Sequence, residues 1–457
     1  MPAVRKRLGA SIVLTLLSII SIIVLLPTSR VSTRLQKIAL GPTIDTSLWS
    51  WSSSNEELEE DLGGDGTRLV IFGDSWIDDT IEDGQEGKGR SWADYLCEEI
   101  NCTSRLNFAA SQPVGAWPAY PPTGAMTSNA IHEAGMSKST YTIPLEVAEL
   151  SLLPDLAAQI QTYIALPPPK QPPTETIFVV SYGIWDIYDF SRLDFPIAQN
   201  GTDRSIEELF KQLDILYNHF IRNLYSPDIL GTLNSADSID DTQKLSIPTF
   251  RIILPKVFDP TLLPGWVTLR PAPPAPSSVA EQQKNAVYLT QRWNQRVENQ
   301  LAKWVKEPPA PVPAPQNPNP EQDSSHEDIR NSNKPAPPQP ADQTAIIQKD
   351  VFYFDLPKLL LDVIVEHQLE DEELSDASGL GTGESPFESV YIPCVREAGG
   401  DDTDGLVDLA GMLVCNEPEE YLFWDSFNLG AMMKSWIGKE VGEMVRENKT
   451  MRHQWGH

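Results

Sequence analysis

The chain has 457 residues, 64 of them acidic against 35 basic, for a net charge of −29. So negative a surface repels polyphosphate and anionic headgroups, which sets nucleic-acid binding aside and fits solubility in an acidic or extracellular setting. Four cysteines without Cys-x-x-Cys spacing and six scattered histidines offer no metal-site pattern, so neither a metal nor another cofactor is expected.

Arg5, Lys6 and Arg7 precede an apolar run over 8–26, closed by Pro27 and followed by Arg30, Arg34 and Lys37. At about 1.5 Å per residue the run makes about 28 Å of helix, close to the roughly 30 Å hydrocarbon core. A cleaved signal peptide is the rival reading, but Leu26-Pro27-Thr28-Ser29-Arg30 lacks an Ala-x-Ala pattern. The expectation is a single-pass anchor within 1–37. Basic charge on both flanks leaves its direction to other signals. Three sequons, Asn101-Cys102-Thr103, Asn200-Gly201-Thr202 and Asn448-Lys449-Thr450, lie downstream and point to a lumenal or extracellular body. The cysteines fall into two local pairs, which predicts disulfides Cys97–Cys102 and Cys394–Cys415.

Residues 38–66 are polar and acidic and read as a stalk. From 67 to 445 the chain alternates. Runs rich in β-formers stand at 68–72, 106–108, 177–182, 250–254 and 351–354. Helical patterns stand at 91–100, 144–164, 205–225, 279–304, 356–367 and 429–445. In the third of these, Ile206, Leu209, Phe210, Leu213, Leu216, Tyr217 and Phe220 share one side. The alternation predicts one α/β domain, a five-stranded parallel sheet with helices on both faces. Proline-rich stretches interrupt it at 167–173, 271–276 and 307–342. The last lacks the apolar residues to bury a core and is expected to be a disordered insertion. Residues 446–457 form a tail.

The first β-run enters Gly73-Asp74-Ser75-Trp76-Ile77-Asp78. A tight turn after a buried strand projects a serine hydroxyl at the carboxyl edge of a parallel sheet, where open α/β folds keep their sites. This stretch, with those that follow, resembles the SGNH (GDSL) hydrolase family of esterases and acylhydrolases over about 67–445. The resemblance implies a flavodoxin-like α/β/α sandwich in which Ser75 is the nucleophile. The second block, Asn-x-Ala followed by a glycine that donates a backbone N–H to the oxyanion, is matched by Asn107-Phe108-Ala109-Ala110-Ser111-Gln112-Pro113-Val114-Gly115. There Ser111 or Gly115 would supply the donor. The third block, Gly-x-Asn-Asp, reads Gly183-Ile184-Trp185-Asp186; the Trp185 indole either replaces the amide as donor or packs as core. The last block, Asp-x-x-His, reads Asp425-Ser426-Phe427-Asn428.

That last departure bears on chemistry. An amide does not accept a proton near neutrality, so Asn428 cannot deprotonate Ser75 as imidazole would. Losing the base of a serine triad costs about 10⁶ in rate, roughly 8 kcal/mol of barrier. Substitute bases are His132, in the segment after the second strand, or more weakly Asp78 or Asp425. His219, inside a helical pattern, and His453 and His457 in the tail are poorer candidates. Two readings follow. One is an ester hydrolase acting on an acyl or acetyl ester; the other is an inactive scaffold of the same plan that binds a glycan, lipid or protein. Trp76, Trp117, Trp185 and Trp424 near the motifs suit stacking on sugars or lining an acyl slot. Small esters, acylated glycans or lipids are the expected ligands, the membrane is met through the N-terminal helix, and nothing in the sequence fixes an oligomeric state.

Overall fold

Leu69-Val70-Ile71-Phe72 carries no polar alternation, and all four residues are fully buried. Such a strand needs cover on both faces of its sheet, and the computed structural model shows that cover. It describes residues 66–79, 88–111, 124–138, 153–167, 173–224, 249–270, 277–307, 347–371, 385–397, 406–407 and 412–454, with positions 169 and 273. The anchor expected over 8–26, the stalk before Gly66 and the insertion after Glu307 lie outside these residues. Among the described residues no helix is long and apolar enough to cross a membrane.

Five strands, β1 (Thr67–Gly73), β2 (Ser104–Asn107), β3 (Glu175–Ser181), β4 (Phe250–Pro255) and β5 (Lys349–Phe354), form one all-parallel sheet in the order β2-β1-β3-β4-β5. This is a doubly wound order, and its direction reverses between β1 and β3. Open sheets bind ligands outside the carboxyl ends of the strands at that reversal.

The helices are α1 (Trp92–Glu99), α2 (Asn129–Met136), α3 (Leu156–Ile164), α4 (Ile184–Phe190), α5 (Phe195–Leu224), α6 (Pro264–Thr268), α7 (Val279–Trp304), α8 (Leu356–Asp371), α9 (Ala431–Arg446) and α10 (Met451–Gln454). α1 packs against α9, and α3, α5 and α7 pack side by side. Right-handed crossovers put these two groups on opposite faces of the sheet.

Three elements differ from the sequence expectation. α5 starts ten residues before the expected 205, through the polar stretch Gln199-Asn200-Gly201-Thr202. One local and one tertiary bond stabilise that early part: Thr202 Oγ1 donates one helical turn back to Ala198 O at 2.9 Å, and Ser205 Oγ donates to Asp186 at 2.9 Å. α3 starts only at Leu156, because Asp155 caps it by accepting from Ala158 N; residues 144–152 lie outside the described set. α2, capped by Ser128, occupies a stretch with no expected helical pattern.

After α8 the chain makes a small antiparallel sheet, β6 (Val395–Glu397), β7 (Leu406–Val407) and β8 (Met412–Val414), in the order β6-β8-β7. Both expected disulfides are present, Cys97–Cys102 and Cys394–Cys415. The second closes the ends of β6 and β8. Next to it, Cys394 N and Val395 N donate to Phe423 O and Trp424 O, which ties the small sheet to the Asp425 segment.

Candidate functional site at the carboxyl edge of the sheet

The serine turn is held from several sides. Gln159, 1 % exposed on α3, grips the last residue of β1 with both ends of its amide: Gly73 N donates to Oε1 and Nε2 donates to Gly73 O, each at 2.9 Å. Asp74 then folds the chain back. Its carboxylate accepts from Trp76 N at 3.0 Å, and its carbonyl accepts from Ile77 N and Asp78 N. Asn107 ties the turn to the end of β2, donating to Ile77 O at 3.0 Å while accepting from Ala109 N. Ser75 therefore stands at the end of β1, facing β3 across the sheet reversal, with 8 % of its surface exposed.

Trp185 is both core and donor. It is fully buried, and its indole N–H donates to Ser75 Oγ at 3.1 Å. Gly183 makes this possible by entering α4 at φ +117, a left-handed conformation open to glycine. Asp186, next in the chain, accepts from Thr127 N, Thr127 Oγ1 and Ser205 Oγ at 2.9–3.1 Å. Its role is to lock α4 to α5 and to the segment before α2. Gly124 lies over the donors: a Cβ there would come within 2.5 Å of both Ser75 N and Trp185 Nε1. Only a glycine can pass this close. Ser111 sits beside it through an antiparallel bridge to Gly124, and the Ser111 hydroxyl donates to Asp78. Gly115 lies outside the described residues.

The Asp425 segment closes on the turn from the far side. Trp76 Nε1 donates to Phe427 O at 3.0 Å, and the Phe427 ring lies 5.4 Å from that of Trp185. Gly265 leaves room for that ring and donates its N–H to Ser426 O at 2.7 Å. Asp425, 1 % exposed, accepts from Phe427 N and Asn428 N at 2.8 Å, and from Asn428 Nδ2 at 3.1 and 2.8 Å on its two oxygens. The amide of Asn428 thus donates to both oxygens of the carboxylate three residues before it. Its own Oδ1 is buried without a hydrogen-bond partner. Behind the segment, Lys434 of α9 donates to Lys88 O at 2.9 Å. Burial and Lys88 push its ammonium down to about 7, against the pull of Asp425.

Among the described residues no imidazole or carboxylate accepts the Ser75 hydroxyl proton. His132 is 6 % exposed on α2, and its Nε2 faces Asp189 at 3.2 Å. Burial alone would raise the Asp189 carboxyl, but Arg192, His132 and Arg270 outweigh it and hold it at about 2. His132 therefore belongs to a buried charge cluster in which Arg270 stacks on Trp266 and Tyr188 at 3.8 and 4.5 Å. Asp74 behaves in the opposite way. Complete burial raises its carboxyl to about 8, Asp186 and Asp78 adding to the effect against the Trp76 N–H. A cavity of about 20 Å³ lies beside it, lined by Trp76, Tyr182 and Lys256 among others, with space for a water. Among the described residues no group of His, Cys, Asp and Glu could hold a metal ion.

Four site-building residues escaped the sequence reading: Gly124, Thr127, Gln159 and Ser205. Gln159 and Ser205 carry no local signal, since their partners lie 86 and 19 residues away. Gly124, closing the Pro-Pro-Thr-Gly stretch, was the visible one. Comparison with models of known protein families finds no match for this chain, and no curated protein matches it.

Proposed function

We propose that this chain is a membrane-anchored protein with a lumenal or extracellular body on the SGNH hydrolase plan. Its Ser75 centre binds an acyl or acetyl ester, carried on a glycan or lipid, without turning it over. One observation carries this reading: both oxygens of Asp425 are taken up by Phe427 N, Asn428 N and Asn428 Nδ2, and an amide accepts no proton near neutrality, so the Asp425–Asn428 pair offers Ser75 no general base. The turn around Ser75 and the aromatic rings of Trp185 and Phe427 beside it support recognition of the acyl part of an ester.

The ester-hydrolase reading keeps one specific support. An N–H at 3.1 Å from Ser75 Oγ stabilises negative charge there, which favours a nucleophile if a base is supplied. The two readings separate in one assay. Purified full-length protein is offered short-chain aryl esters and acetylated sugars, beside Ser75→Ala and His132→Ala. Equal background rates in all three fit the binding reading. Hydrolysis abolished by Ser75→Ala overturns it, and parallel loss in His132→Ala would identify the relocated base. The anchor is tested by carbonate extraction of membranes, after which the protein should stay in the pellet; release into the supernatant refutes it.

A further inference from the structure

A second cavity, about 280 Å³, lies between α2 and α5, away from the serine turn. Its apolar part is Ile131, Ala134, Pro196 and Ile197, and its polar part is Lys138, Arg204 and Asn200. No carboxylate lines it, although the chain carries a net −29. Lys138 and Arg204 are exposed, and among the described residues neither forms an ion pair. The size lies just under the range of drug-sized sites, so the cavity suits one small ring rather than an extended ligand.

Asn200 in its wall opens the sequon Asn200-Gly201-Thr202, and its side chain is exposed. We propose that this cavity seats the first N-acetylhexosamine of a glycan carried by Asn200. The inference rests on the lumenal or extracellular placement proposed above. Pro196 and Ile197 would meet the carbon face and the acetyl methyl of the sugar. Lys138 and Arg204 would donate to its hydroxyls and to the acetamide carbonyl.

The sequon's own geometry fixes the order of events. Thr202 is fully buried and its hydroxyl is spent on Ala198 O, while Gly201 packs so closely on the Phe190 ring that a Cβ would meet it at 2.9 Å. The Thr hydroxyl by which a sequon is read is therefore inaccessible once α5 has formed. Transfer has to precede folding, and the fold must then accommodate the sugar. In that transfer the Asn200 Nδ2–C1 bond forms and the C1–O bond to a lipid-linked oligosaccharide diphosphate breaks. Nδ2 loses one proton and the lipid diphosphate leaves.

The test uses the full chain from a secretory eukaryotic host, with Asn200→Gln, Asn101→Gln and the double variant Lys138→Ala/Arg204→Ala. Glycopeptide mapping should find Asn200 occupied. Peptide N-glycosidase should release that glycan from the native protein about tenfold more slowly than from the double variant, the ratio that about 1.4 kcal/mol of seating gives. Both cations are exposed, so the double variant should keep its fold, and equal unfolding midpoints check this. Bare Asn200 with occupied Asn101 overturns the seat and leaves the placement standing. Asn448 alone occupied does the same, and all three sequons bare overturns the placement as well. An occupied Asn200 released at the same rate from wild type and double variant also overturns the seat.

Discussion

Asp74 folds the serine turn through its backbone and carboxylate, and burial raises that carboxyl from its ordinary 3.8 to about 8. In the unfolded chain the group ionises near 4, whereas in the fold it keeps its proton up to about 8. Between those values the folded state binds the extra proton, so stability falls as pH rises across the window and levels off above it. Asp74→Asn should remove this slope. Chemical denaturation at pH 5 and pH 8 checks it: the wild type should lose more stability than Asp74→Asn over that interval, and parallel curves would contradict the assignment. At this scale the sequence was partly legible. Ser75 and Asp74 announce themselves because strand and turn lie together in the chain, whereas Asp425 was reached through the resemblance of its Asp-x-x-Asn block. Gln159 and Gly124 do not, since their importance is a matter of distance in space alone.

Among the elements, the Cys394–Cys415 bond matters beyond its own loop. Its neighbours donate to Phe423 O and Trp424 O, so the disulfide steadies the backbone that presents Asp425 and Asn428. Closing a loop of 21 residues should contribute about 3 kcal/mol. Replacing both cysteines by serine should lower stability by about that amount and speed amide exchange over 423–428. Unchanged exchange there would show that the segment is held by Trp76 and Gly265 alone. The strands were legible because a parallel sheet buried on both faces writes itself as unbroken apolar runs. The start of α5 was not, because Asn-Gly-Thr reads locally as a turn and becomes helix only through Asp186 and Phe190. α2 was hidden in the same way: Asn129 holds its start by donating to Leu153 O and to Asp155, contacts that no local window contains.

For the molecule as a whole, residues 308–346 lie between α7 and β5 and outside the described residues. Lys349 Nζ donates to Trp304 O at 3.1 Å, so the end of α7 and the start of β5 are already neighbours. Replacing residues 309–345 by a short Gly/Ser linker should therefore change stability by less than about 1 kcal/mol, since closure cost varies slowly with loop length. Failure to fold would show that the segment packs on the domain. The α/β architecture was legible from alternation along the chain, whereas the readiness of Ser75 to react depends on which groups stand next to it in space, which alternation does not reveal. That readiness is tested most directly by hydrolysis of a short-chain aryl ester by Asn428→His. An imidazole there can donate to Asp425 as Asn428 Nδ2 does and offer its other nitrogen to Ser75. The predicted result is no Ser75-dependent hydrolysis in the wild type and a gain of orders of magnitude in Asn428→His, abolished by adding Ser75→Ala. A wild type already active through Ser75, or a gain that survives Ser75→Ala, would contradict it.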